Sequence, residues 1–275
     1  MFLKPMMKPI MRSQLRNKAA TAFHSGRRYI SWVVKSRQFA KKREGNPLPH
    51  LIFSHETVLL RQLRDVDMLY QHNKIVNLRL AAEKLNGIVV QPGETLSFWR
   101  LIGKPTYRKG YLDGVTLQYG KVVPGCGGGL CQLSNLIYWM TLHTPLVVTE
   151  RHRHGYDVFP DVSRTQPFGS GATCFYPYGD LMLKNTTDRA FQLRVRVGAD
   201  NLEGEWRSEQ PAEYHYEVVE KNHFMSGEYW GGFSRHNALY RRVKDTAGNF
   251  VGEEFITENH ALMMYAPFLE EAAST

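Results

Sequence analysis

A cysteine that opens a helix directly after a run of glycines is placed to act as a nucleophile, and residues 120–157 hold that arrangement. Gly125-Cys126-Gly127-Gly128-Gly129-Leu130 runs into Cys131, and Glu150-Arg151-His152-Arg153-His154 follows about one helix and one strand later. A thiol in the first helical turn meets unpaired N–H groups and the positive end of the helix dipole, which favours the thiolate and lowers its pKa. Glycines let a backbone close on a ligand and aim several N–H groups at one oxyanion. The chemistry implied is acyl transfer or amide hydrolysis. Cys131 is the nucleophile, His154 the base, Gln132 or the glycine N–H groups the oxyanion donors, and Asp157 or Asp180 the acid that orients the imidazole. Two blander readings use the same residues: a ligand-binding cleft without covalent chemistry, and an inert thiol on a core helix. Zinc is the runner-up, with Cys126, Cys131, His152 and His154 as ligands, although neither pair has the spacing of a Cys-x2-Cys knuckle. No cofactor is otherwise expected. The glycine loop lacks the Lys-Ser/Thr of a nucleotide-binding loop.

These residues need a helix and strands to hold them. Leu133, Leu136, Ile137 and Met140 recur at helical spacing until Thr144-Pro145, so a helix begins at Cys131. Leu146-Val147-Val148 reads as a strand. Upstream, Ser54-His55-Glu56-Thr57 is read as the cap of a helix whose face carries Leu59, Leu63, Val66 and Tyr70, and a second helix spans Ile75 to Leu85. Ile88-Val89-Val90 is a strand, Gln91-Pro92-Gly93-Glu94 a turn, and 96–99 extended chain. Residues 172–176 and 181–184 are expected to pair around Tyr178-Gly179-Asp180. Phe191, Leu193, Val195 and Val197 alternate with polar residues as a half-buried strand. Tyr214, Tyr216 and Val218 begin a strand-rich tail whose histidines, His215, His223, His236 and His260, have no chelating spacing.

Charge is distributed unevenly. Residues 1–44 carry twelve Lys/Arg against Glu44 alone, a balance of +11 that leaves −2 of the chain's +9 for residues 45–275. The globular part is therefore no nucleic-acid surface, and the polybasic element is the amino-terminal segment. Within it Leu15, Ala19, Phe23, Tyr29, Trp32, Val33 and Phe39 fall at roughly helical spacing, which suits a surface helix on its own domain, a helix on anionic lipid, or a basic arm for RNA or a partner. The first residues are broken by charge and proline and resemble no secretory signal, no stretch approaches the ~20 apolar residues of a membrane span, and three cysteines in this length fit a reducing compartment. The expected location is cytoplasmic, with contact to the inner face of the membrane through residues 1–44.

Gly87 with Pro92-Gly93-Glu94, Ser97-Phe98, Gly110-Tyr111, the Gly127-Gly128-Gly129-Leu130-Cys131-Gln132-Leu133-Ser134 core, Glu150-Arg151 with His154, and Asp180-Leu181 with Lys184-Asn185 together resemble the VanW family over about residues 75 to 200. The resemblance implies a link to vancomycin and glycopeptide resistance and to peptidoglycan metabolism, with a peptide-like wall precursor or a protein of the resistance cluster as partner. It ties Cys131 to His154 ahead of His152, and points to Gly127, Gly128, Gly129, Gln132, Ser134, Glu150 and Arg151 as binding residues. Relatives carry an acid where this chain has Gly171, which leaves Asp157, Asp161 or Asp180 as the third group. The expected fold is α+β: a mixed or antiparallel sheet with the cysteine helix on one face, helices before it and a β-rich extension after it. The expected divisions are a basic helical arm at 1–44, a central domain at 45–205 and an extension at 206–275.

Overall fold

In the computed structural model, residues 13–60, 67–118, 121–158 and 166–265 are described, and all statements below concern these. The chain folds as α+β. A four-stranded antiparallel sheet holds β1 (His50–Val58), β10 (Asn201–Ser208), β9 (Phe191–Val197) and β2 (Ile88–Val90) in that order. Helix α4 (Cys131–Thr141) packs on β1 and β10, while α2 (Met68–Leu85) packs on β9. The fit over β10 depends on Gly204, because a Cβ there would run into Met140 and Leu136 of α4. Trp206 of β10 is fully buried and donates through Nε1 to Thr141 Oγ1 at 3.2 Å.

A second antiparallel sheet joins β3 (Thr95–Ser97), β8 (Met182–Lys184) and β6 (Val147–Glu150), and the hairpin of β4 (Asp113–Gln118) and β5 (Lys121–Cys126) leads into the glycine loop. Helix α3 (Phe98–Ile102) follows β3 directly. Three long carboxy-terminal strands, β11 (Tyr214–Gly227), β12 (Phe233–Asp245) and β13 (Phe250–Met263), form an antiparallel sheet whose edge pairs in parallel with β7 (Tyr156–Asp157).

The basic segment is built into this body. Helix α1 (Gln14–Val34) is capped by Ser13 and buries Trp32. Beyond it, Phe39 bridges to Thr95 and Arg43 to Ile88, so residues 39–44 run beside β2 and β3, and Phe39 and Ala40 join the same core as Trp206. At the other end, β10 continues past residue 205, and Ser208 is buried with its hydroxyl on the Ala190 carbonyl at 2.9 Å.

Three local expectations are corrected. Residues 50–58 are strand, not the start of a helix, because they pair with β10 from His50↔Ser208 to Val58↔Asn201; Leu63 and Val66 lie outside the described residues. The helix that follows is capped by Asp67, whose carboxylate accepts from Leu69 N at 2.8 Å. Residues 98–102 turn helical because Ser97 Oγ caps them, accepting from Arg100 N at 3.3 Å. Strand β8 pairs with β3 and β6, while 172–176 forms isolated bridges instead of a partner strand.

Candidate functional site

The glycine loop before Cys131 is clamped from below by α2. Asn77 donates through Nδ2 to the carbonyls of Leu112 at 2.9 Å and Gly128 at 3.0 Å, and its Oδ1 accepts from Leu112 N at 2.8 Å. Gly128 and Gly114 of β4 lie backbone to backbone, and a Cβ on either would run into the other. Gly127 and Gly129 have φ of 76° and 88°, the left-handed region where glycine is strain-free. Their N–H groups are used within the fold: Gly127 N on Leu112 O at 2.9 Å, Gly128 N on Gly125 O at 2.9 Å, Gly129 N on Val115 O at 3.0 Å. The donors expected to form an oxyanion cradle are taken here by Leu112, by Val115 of β4 and by the loop's own turn.

Cys131 opens α4 as the spacing predicts, but its surroundings reverse the expected thiolate. Burial pushes the thiol above its ordinary value, and backbone hydrogen bonds at Cys174 and at Cys131 itself offset this only in part. Its Sγ lies 3.8 Å from the Cys174 carbonyl. Gln132 is not an oxyanion donor either: its Nε2 bonds Thr57 Oγ1 and Val58 O, both at 2.9 Å, tying α4 to β1. Ser134 donates to Ala172 O at 2.6 Å, and Asn135 Oδ1 accepts from Ala172 N at 2.7 Å, so α4 holds the 171–174 segment.

Across that segment sits an acid corner centred on Glu150, the last residue of β6. Its Oε1 accepts from Arg28 Nη2 at 2.5 Å, from Asp180 N at 3.1 Å and meets His152 Nε2 at 2.9 Å; Oε2 accepts from Arg28 at 2.7 Å. Burial alone would raise Glu150, but the hydrogen bonds from His152 and Arg28, with the guanidinium charge, outweigh it and hold the carboxyl below its usual value. Asp180 is fully buried, with Ser97 Oγ 2.5 Å from Oδ2 and Trp99 N 2.9 Å from Oδ1. Burial drives its pKa to about 7. Burial raises the Cys174 thiol well above its ordinary value, with the neighbouring Cys131 thiol adding to the rise and the charges of Asp180 and Glu150 contributing less. Phe175 borders the corner, its ring 5.3 Å from His152 and 5.0 Å from Tyr178.

The sequence-predicted set is thus divided. Glu150, His152 and Asp180 come together, while Cys131 faces the Cys174 carbonyl. Among the described residues no hydrogen bond joins Cys131 to His154, whose imidazole is held below its usual pKa by burial and by Arg153. Asp157 is buried on β7 against the carboxy-terminal sheet, 2.8 Å from Tyr265 Oη and 3.5 Å from Arg235 Nη1. Asp161 lies outside the described residues. Arg151 stacks on Tyr138 at 4.7 Å, bonds Gly171 O at 2.8 Å and Gly169 O, and so fastens the 169–171 loop. The zinc alternative is corrected too: Cys126 Sγ points at Tyr111 O, His152 is engaged with Glu150, and among the described residues no group of three His, Cys, Asp or Glu could hold a metal ion.

Sequence reasoning gave no site role to Arg28, Asn77 or Cys174, and used Ser97 only as part of the family resemblance. A signal existed for Asn77: Gln71, Lys74 and Asn77 share the buried stripe of α2 with Leu78, Ala81 and Leu85, and a polar residue inside an apolar stripe needs a partner.

Comparison with known proteins places the chain among relatives. The family model described as "VanW like protein" matches residues 73–207, from α2 to near the end of β10. "Vancomycin B-type resistance protein VanW" of Enterococcus faecalis (strain ATCC 700802 / V583) is 33% identical over 215 residues, covering 78% of this chain and 75% of the relative. "Uncharacterized protein YoaR" of Bacillus subtilis (strain 168) is 30% identical over 120 residues, 44% of this chain and 38% of that protein. No solved structure matches the chain significantly.

Proposed function

The chain belongs to the VanW family, and from that premise we propose that it is an accessory protein of vancomycin resistance that acts in peptidoglycan metabolism by binding a peptide-like wall precursor. The name of its enterococcal relative supports the resistance role. Binding in preference to cysteine catalysis rests on one observation: the residues of the nucleophile hypothesis are held apart, each engaged with other partners in the fold. The Cys131 thiol faces the Cys174 carbonyl and is pushed toward the neutral form, while the glycine N–H groups serve β4 and the loop. A neutral thiol without an adjacent base is a poor nucleophile.

The ligand surface in this reading is the corner of Glu150, His152 and Phe175. Among the described residues Glu150 Oε2 accepts from Arg28 alone, which leaves acceptor capacity for an amide or ammonium group of a peptide stem. The half-exposed imidazole and the exposed Phe175 ring supply a donor or acceptor and an apolar face beside it. Titration calorimetry with a muramyl-pentapeptide tests this. Wild type and Cys131→Ser should bind alike, and Phe175→Ala should weaken binding about tenfold, the loss of one well-placed aromatic contact. Turnover of the peptide that disappears in Cys131→Ser would instead establish the hydrolase.

A further inference from the structure

Helix α1 presents its apolar stripe to the outside. Leu15, Ala19, Phe23, Gly26, Ile30 and Val33 follow one another at steps of three or four residues and therefore share one face. On that face Phe23 is 66% exposed, Ile30 65% and Val33 74%, with Leu15 and Val34 also exposed. The helix is held to the body by other sides: Arg28 grips Glu150, Trp32 is buried and its carbonyl accepts from Arg100 at 3.1 Å, and Thr21 Oγ1 lies 3.5 Å from Tyr178 Oη. An ordinary surface helix turns its apolar side inward, and α1 does the reverse.

The charge beside the stripe identifies the occupant. Arg16, Lys18 and Arg27 are exposed along its margins, and α1 contains no Asp or Glu from Gln14 to Val34. Among the described residues no helix is long and apolar enough to cross a bilayer. An apolar stripe about 30 Å long, edged by cations and free of acids, fits the headgroup boundary of an anionic membrane, where rings and branched chains enter the acyl layer and Lys/Arg meet lipid phosphates. We propose that α1 is an interfacial helix that seats this protein on an anionic bilayer surface through Leu15, Phe23, Ile30, Val33 and Val34. Because the contacts to the body lie off the stripe, the helix binds lipid without leaving the fold, and the Glu150 corner is held near the membrane.

Co-sedimentation of the full chain with vesicles of phosphatidylglycerol and phosphatidylcholine in equal parts, and of phosphatidylcholine alone, is the test. Partition should be at least tenfold greater on the anionic vesicles and fall at 0.5 M salt. The triple variant Phe23→Asp/Ile30→Asp/Val33→Asp and the triple variant Arg16→Gln/Lys18→Gln/Arg27→Gln should each lose it while keeping the wild-type melting temperature, since all six side chains are exposed. Equal or absent binding to the two vesicle types, unaltered partition of the aspartate variant, or a concentration-dependent dimer that this variant abolishes without any lipid binding overturns the proposal.

Discussion

Arg28 Nη2 lies 2.5 and 2.7 Å from the two carboxylate oxygens of Glu150, a residue 122 positions further along the chain, and 2.9 Å from the Tyr178 carbonyl. A guanidinium from the basic amino-terminal segment is therefore the counter-charge of the acid corner. Both side chains are largely covered, so the attraction is only weakly screened and the loss of either partner strands the other.

Arg28→Ala should accordingly destabilise the protein by about 2–3 kcal/mol, in the range for removing one member of a covered, hydrogen-bonded ion pair. Urea unfolding gives the number. The double variant Arg28→Ala/Glu150→Gln should recover part of the loss, because it leaves no unpaired carboxylate. Costs that simply add in the double variant would mean the two residues do not interact.

Asp180 gives the corner a pH dependence of definite sign. Its carboxyl is raised from 3.8 to about 7, chiefly by burial, so the folded state holds a proton that the unfolded chain has released. The stabilising contribution is full below the unfolded value and is lost as pH rises through about 7, with a slope of up to about 1.4 kcal/mol per pH unit between the two. Glu150 is shifted the other way, so its contribution is lost only as pH falls below its ordinary value of 4.5. Between pH 5 and 8 the difference in unfolding free energy between wild type and Asp180→Asn should therefore shrink as pH rises. Parallel profiles would show that Asp180 does not titrate in this window.

The elements that periodicity governs were legible in the sequence. Helix α4 begins at Cys131 and β2 and β9 fall at the expected strands, because each displays its buried face within a few residues. The stretch at 50–58 misled for the opposite reason: its partner is β10, some 150 positions away, and long-range pairing overrode a local cap signal. The glycine loop carries a packing demand that the sequence did not show. Gly127, Gly128 and Gly129 read as freedom to meet a ligand, whereas Gly128 is required by contact with Gly114, a neighbour the sequence does not pair with it. The preference for His154 over His152 came from resemblance. The i, i+2 relation of Glu150 and His152, which places side chains on one face of extended chain, pointed to the pair that meets in the fold.

Cys131 and Cys174 should be slow to alkylate. Burial raises both thiols, Cys174 well above the ordinary value, so at pH 7.5 native protein should react with iodoacetamide no faster at these sites than at Cys126, whose thiol is also raised. Mass spectrometry of timed samples resolves the three sites. Faster labelling at Cys131 than at Cys126 would return the nucleophile to consideration, and a vancomycin-susceptibility assay on Cys131→Ser would then decide its role.

The loop itself offers the most severe substitution. A methyl group on Gly128 has no flexible side chain to displace, because it meets the backbone of Gly114, whose own movement would break the β4–β5 hairpin at its open end, where Gly114 pairs with Gly125. Overpacking against fixed backbone costs about 3 kcal/mol or more, so Gly128→Ala should abolish soluble expression or lower the melting temperature by at least about 6–12 °C, at about 2–4 °C per kcal/mol in a chain of this size. Asn77→Ala, which keeps the glycine contact but removes three hydrogen bonds and uncovers the Leu112 and Gly128 carbonyls, should cost about 3 kcal/mol. Asn77→Asp restores the acceptor for Leu112 N while turning a carboxylate oxygen toward those two carbonyls, so it should be at least as unstable as the alanine variant. A stable Asn77→Asp protein would show that the clamp works through shape and not through its amide.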